Sequence, residues 1–161
     1  MTKAQLLSIA VLVGAFALFA RCPQNAGAEP SDALTLSRAI VSEAGYSPGA
    51  ETWAILHVLE WRRLNVPALR GLTVAQVARR YCSELNGRAR TERAERTRAL
   101  TSADIPDEIE ADVRAWLGGE RPANPCDGAV HWAARGFRRD WSSLRVRCDG
   151  RMQNEYFRGE R

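Results

Sequence analysis

A mainly helical domain, α+β in class, with a loop-rich C-terminal part and short strands, is what this sequence predicts. Three observations carry that expectation. Apolar residues recur at helical spacing in four segments between residues 31 and 117. Capping residues precede those segments, and glycine or proline follows most of them. Beyond Glu120 the helical period disappears, and Pro, Gly, Asn and aromatic residues dominate.

The elements follow in order. Ser31 or Asp32 can cap a helix through Leu34, Leu36, Ala39, Ile40 and Ala44. Gly45 and the turn Ser47-Pro48-Gly49 stop it. A second helix fits residues 51–64, and its centre, Trp53-Ala54-Ile55-Leu56-His57-Val58-Leu59, is apolar nearly all round. Such a helix belongs in the middle of a domain. It ends on Arg62 and Arg63, where cations suit the C-terminal dipole. A third, over residues 73–82, opens with a Thr73/Gln76 capping box and carries Val74, Val77, Ala78 and Tyr81 on one face. Residues 88–98 hold five arginines against Glu92 and Glu95 with no apolar stripe. They read as a solvated loop or frayed helix, or as a basic rim for an anionic polymer. Pro106 suits the first position of a further helix bearing Ile109, Val113, Trp116 and Leu117, closed by Gly118-Gly119.

The chain has 161 residues, 45% of them apolar and 26% charged. That suffices for one globular domain and excludes an enzyme with a separate nucleotide-binding domain. Residues 1–28 have the layout of a secretory signal: Lys3, an apolar run over residues 6–20, then Ala26-Gly27-Ala28 as a cleavage pattern. A spanning helix needs about 20 apolar residues, so an uncleaved membrane anchor through residues 6–20 is the alternative. Arg21 argues against a lipoprotein site at Cys22. An exported protein of the periplasm or cell envelope is expected, with residues 29–161 as its working domain.

Cleavage removes Lys3 and Arg21 and lowers the formal charge from +4 to +2. Nucleic-acid binding loses its footing at that charge. Lys3 is the only lysine among 23 basic residues, a bias that suits anionic partners or merely follows coding preference. Cys82, Cys126 and Cys148 remain after cleavage, enough for one disulfide and one spare thiol. The sequence leaves the pairing open. Cys126 and Cys148 flank one segment and are favoured.

The titratable candidates are few. Glu43 stands at a helix end before a Gly/Pro turn, where desolvation would raise its pKa into the range of a general acid. His131 beside Trp132 suits a sugar site, since aromatic faces stack on sugar rings, or a structural hydrogen bond. His57 reads as a satisfied core histidine. Two histidines without a C-x-x-C or H-x-x-x-H spacing give no zinc site. A Cys126/His131 nucleophilic pair competes with disulfide use. There is no Gly-rich phosphate loop, and no metal or cofactor is expected.

Three blocks carry a resemblance. The first runs from Leu36 to Arg62 and contains Ala39-Ile40-Val41-Ser42-Glu43-Ala44-Gly45. The second is Gly118-Gly119-Glu120-Arg121-Pro122-Ala123-Asn124-Pro125-Cys126-Asp127-Gly128-Ala129-Val130-His131-Trp132, followed by Trp141. The third is Asp149-Gly150 to Asn154-Glu155-Tyr156-Phe157-Arg158. Together they resemble the cell-wall hydrolase family of spore-cortex-lytic enzymes, which are lytic transglycosylase-like with a lysozyme-like fold. The resemblance implies a lysozyme-like helical domain that cleaves the MurNAc-β-1,4-GlcNAc bond of peptidoglycan glycan strands, with Glu43 as acid. It implies Tyr81, His131, Trp132 and Tyr156 as substrate-binding residues, with Trp141 a further aromatic. The family's second Glu falls on Ser47, its His on Asn154, and its N-R pair on Trp61-Arg62.

One acid suits lytic transglycosylation, because the muramic 6-hydroxyl replaces water. A hydrolase uses two carboxylates, and a muramidase here would recruit one such as Glu51 or Glu60. A non-catalytic wall-binding or assembly module on the same fold is a third reading. A monomer is expected.

Overall fold

The computed structural model describes residues 30–46, 49–136 and 139–159. The leader and its apolar run lie outside the described residues, as do Cys22, Ser47-Pro48 and the side chain of Trp141.

Five α-helices and one two-stranded sheet make up the described part, so the mainly helical, α+β class is observed. The helices are α1 (Asp32–Ala44), α2 (Ala50–Asn65), α3 (Val74–Tyr81), α4 (Glu92–Ala99) and α5 (Asp107–Leu117). Strands β1 (His131–Ala134) and β2 (Asn154–Phe157) follow, with a 3-10 segment at Arg139–Leu144 between them. No described helix is long and apolar enough to cross a membrane.

Helix α1 starts where the Ser31 hydroxyl accepts the N–H of Leu34 at 3.2 Å. It stops at Gly45, whose φ of 74° favours glycine. Leu36, Ala39 and Ile40 on α1 are fully buried, as are Ala54, Ile55, Leu56, Val58 and Leu59 on α2. The apolar centre of α2 therefore occupies the middle of the core, as its composition predicts. The Thr73/Gln76 capping box forms in both directions, at 2.9 and 3.2 Å. Helices α3 and α5 both pack on α1. Pro106 takes the N-cap position, one residue ahead of its expected place, and α5 begins at Asp107.

Within residues 88–98 the chain is helical from Glu92 onward, and Arg88, Arg90, Arg93 and Arg96 stay exposed. Thr91 caps α4 through the N–H of Ala94, and Ala94 and Thr97 are buried. Small residues let α4 lie close against α1, a contact that no large apolar stripe announces in the sequence. Arg93 donates to the Ser42 carbonyl at 2.5 Å. Arg98 donates to the carbonyls of Glu84 and Ala89 at 2.7 and 3.2 Å. Two of the arginines thus serve the fold.

The C-terminal part is built on β2. It pairs antiparallel with β1, placing Trp132 opposite Tyr156 and His131 opposite Phe157. On its other edge Val146 N–H donates to the Tyr156 carbonyl at 2.8 Å, and Arg158 N–H to that of Leu144 at 2.9 Å. The favoured disulfide, Cys126–Cys148, is present and ties the approach to β1 to the approach to β2. Cys82 is the spare, buried thiol.

A buried carboxylate joins this part to the helices. Glu51, in the first turn of α2, is 5% exposed. It accepts the backbone N–H of Gln153 at 2.7 Å and of Asn154 at 2.8 Å, and the Asn154 side-chain amide at 2.9 Å. The Tyr156 hydroxyl approaches it at 3.4 Å. Replacing Glu51 by Ala leaves these buried donors without an acceptor, and such losses cost about 3 kcal/mol or more. Urea unfolding of Glu51→Ala followed by circular dichroism is expected to show that loss. An unchanged midpoint would remove the carboxylate from this structural role.

Candidate active site

Glu43 lies in the last turn of α1, on the side that meets β1. The indole Nε1–H of Trp132 donates to its Oε2 at 2.9 Å. The Cys82 thiol, at the C-terminal end of α3, also hydrogen-bonds this carboxylate. The Asn154 amide donates to the Glu43 main-chain carbonyl at 2.8 Å while it binds Glu51. Three elements distant in sequence thus converge on one acid.

Burial raises the pKa of Glu43 above the ordinary carboxylate value. The Trp132 hydrogen bond works against that rise, and the negative charge of Glu84 adds to it. The Cys82 hydrogen bond and the Arg93 charge pull it back down, and the rise prevails. The Cys82 thiol is itself pushed well up, first by burial and then by the Glu43 charge, so it stays a neutral donor. A carboxyl that keeps its proton to higher pH, in a half-buried position, can act as a general acid.

A second cluster surrounds Arg62, which is buried. Its Nε donates to the Val130 carbonyl at 3.0 Å, and its Nη2 to His131 Nδ1. A guanidinium only donates, so Nδ1 accepts and the imidazole proton sits on Nε2. The Tyr81 ring lies over the guanidinium, 3.8 Å from Cζ to the centroid, and is 40% exposed. The Arg62 charge also reaches Cys82, which links this cluster to the acid.

The structure therefore brings four of the expected residues together: Glu43, Trp132, Tyr81 and His131. Tyr156 is a correction. It is 1% exposed, packed in the core, and its hydroxyl faces Glu51. Burial, then the nearby Glu51 charge, pushes its phenol up. It supports the site from below and offers no face to a ligand. β2 is covered on both faces, with Asn154, Tyr156 and Phe157 all buried, and Tyr156 faces Glu51. His57 is satisfied, its Nε2 sitting 2.8 Å from the Pro122 carbonyl. Cys126 is spent in the disulfide, so a Cys126/His131 pair is excluded.

The carboxylates Glu51 and Glu60 do not share the site with Glu43 as free bases. Glu51 is occupied by its four donors. Glu60 pairs with Arg63 at 2.7 and 2.9 Å and borders a separate groove with Leu72, Trp116 and Arg121. Sequence reasoning missed Cys82, Glu84 and Arg93 around the acid. Only folding brings the segment after α3 beside the end of α1. Next to the acid-bearing turn runs a groove of about 410 Å³ lined by Val41, Ser42, Tyr46, Arg93, Arg96 and Leu100. Among the described residues no group of three His, Cys, Asp or Glu is placed to hold a metal ion.

No protein-family model matches the chain, and no curated protein or solved structure matches it either.

The raised acid has a stability consequence. A carboxyl whose folded value exceeds its unfolded value, about 4.3 for Glu, stabilises the fold below the unfolded value. That contribution is lost as pH rises through the folded value. At neutral pH the Glu43 charge is thus a burden on the fold. Glu43→Gln is expected to melt a few degrees higher than the parent at pH 7, with the difference shrinking toward pH 4. Thermal melts across that range check it, and a Tm difference independent of pH would contradict it.

Proposed function

We propose that this protein is an exported lytic transglycosylase with a lysozyme-like domain, cleaving the MurNAc-β-1,4-GlcNAc bond of peptidoglycan with Glu43 as its single acid/base. The observation that carries this reading is the Glu43 environment: a desolvated carboxyl oriented by the Trp132 N–H, with its pKa raised. The resemblance of the three sequence blocks assigns that same glutamate the acid role. The disulfide is in keeping with an oxidising compartment and the leader.

The reaction balances with one carboxyl. Protonated Glu43 gives its proton to the glycosidic oxygen, and the C1–O4 bond breaks with its electron pair leaving on the GlcNAc oxygen. The C6 hydroxyl of the muramic residue then bonds to its own C1, and its proton passes to the Glu43 carboxylate. No water enters, and the product ends in a 1,6-anhydro ring. Trp132 keeps the carboxyl oriented between the two transfers. Tyr81 offers a partly exposed ring that a sugar can stack on, backed by the Arg62 cation. Arg93 and Arg96 along the neighbouring groove suit the free carboxylates of the stem peptides on an anionic wall polymer.

The reading is tested with purified sacculi and mass spectrometry of the released muropeptides. The parent is expected to yield 1,6-anhydro ends, and Glu43→Gln to lose roughly 10³-fold or more in rate while keeping its helical circular dichroism. Activity should fall as pH rises through the Glu43 titration, because the acid must begin protonated. Reducing ends without the anhydro ring would identify a hydrolase instead. No release by the parent, with co-sedimentation on sacculi, would identify a wall-binding module.

A further inference from the structure

Glu84 belongs to none of the roles assigned above, yet it lies in the site. It follows Cys82, the residue whose thiol meets Glu43, by two positions. Its Oε1 is 3.6 Å from Arg93 Nε, and its Oε2 accepts the Ser83 hydroxyl at 2.7 Å. Arg93 in turn is anchored on the carbonyl of Ser42, the residue before Glu43. The carboxylate is therefore pinned from two sides in the corner that holds the acid, and its side chain is only 17% exposed.

We propose that Glu84 is the second carboxylate of this site, an anion fixed by Arg93 and Ser83 that offsets the positive charge developing on the sugar as the glycosidic bond breaks. The inference rests on the glycan-cleaving reading of Glu43. Both oxygens of Glu84 are engaged, so it is placed to act as a fixed charge and is poorly placed to activate water. That agrees with a reaction in which the substrate supplies its own nucleophile. The electrostatics run the same way. Burial alone would raise Glu84, but the Ser83 hydroxyl, its own backbone N–H and Arg93 hold it below the ordinary carboxylate value. Its charge in turn helps to raise Glu43. Two carboxyls in one corner with opposite shifts divide the roles of acid and anion. The charged and titratable groups facing Glu43 are Glu84 and Cys82 from the segment after α3, Arg93 from α4 and the Tyr156 phenol from β2. Trp132 from β1 adds a neutral donor.

The test is Glu84→Gln, read by the titration of the Glu43 carboxyl in ¹³C-glutamate-labelled protein and by muropeptide release. Removing the anion is expected to move the Glu43 titration to lower pH and to cut kcat roughly 10-fold or more at unchanged KM. Arg93→Gln supplies the opposite sign: loss of the cation is expected to move the Glu43 titration to higher pH. A structural residue would not produce opposed shifts from the two variants, and Arg93→Gln keeps the test open if Glu84→Gln does not fold. An unmoved Glu43 titration in both variants overturns the pairing. A moved titration with unchanged kcat overturns the charge-stabilising role. Absence of products from the parent overturns the glycan reading and the catalytic role with it, while the titration, which needs no substrate, still judges the pairing.

Discussion

Strand β2 arrives at the end of the chain with one edge taken by β1 and the other by residues 144–146. β1 is itself tied to the helices through Arg62 and Trp132, and β2 needs a tie of its own. That tie is the Glu51 carboxylate, which accepts two consecutive backbone N–H groups from Gln153 and Asn154. A buried carboxylate is tolerated only where donors replace its water. Glu51 has them, and it sits in the first turn of α2, where the helix dipole favours negative charge. Everything downstream depends on this junction. With β2 docked, antiparallel pairing sets β1 in register, and register places Trp132 so that its indole reaches Glu43. The Asn154 amide adds a direct link, since it binds Glu51 and the Glu43 carbonyl at once. The end of α1 and the start of α2 are thereby held to one strand across the turn that separates them.

The same corner shows why function and stability pull apart. The donors around Glu43 soften its desolvation without cancelling it, so the acid keeps a proton-holding bias that the fold would be better off without. Arg62 is the opposite case. It is buried, and burial lowers its pKa, but it spends its donors on the Val130 carbonyl and on His131 and stacks on Tyr81. A buried cation satisfied this way holds neighbours in place. Tyr81 and His131 owe their positions to it.

Much of the helical frame was legible in the sequence, because its signals are local. The apolar centre of α2, the Thr73/Gln76 box and the Gly45 stop each depend on residues a few positions apart. The disulfide was favoured for a similarly simple reason, that two cysteines bracket one segment. What stayed hidden depends on tertiary contact. Helix α4 docks through Ala94 and Thr97, residues too small to make a stripe. Arg93 reads as a surface charge until Ser42 and Glu84 are beside it. Tyr156 reads as a groove aromatic until β2, covered on both faces, sets it against Glu51. Glu43, Trp132, Tyr81 and His131 were named from motifs and chemistry, and the fold gathers them. The residues that tune them come from segments with no motif at all.

Three carboxylates lie in or beside this corner, and their partners separate them. Glu51 receives donors on both oxygens, two of them backbone, and joins two parts of the fold. Glu84 is held by a guanidinium and a hydroxyl and stays ionised. Glu43 receives one indole N–H and one weak thiol donor, too little to offset its burial, so its proton is the one that can move. A search for paired acids by spacing would treat the three alike, since residue type is identical and none stands in a repeated pattern. Counting the donors on each oxygen distinguishes them. The carboxyl whose donors are too few and too weak to offset its burial is the acid, and the ones whose oxygens are better matched by donors support it.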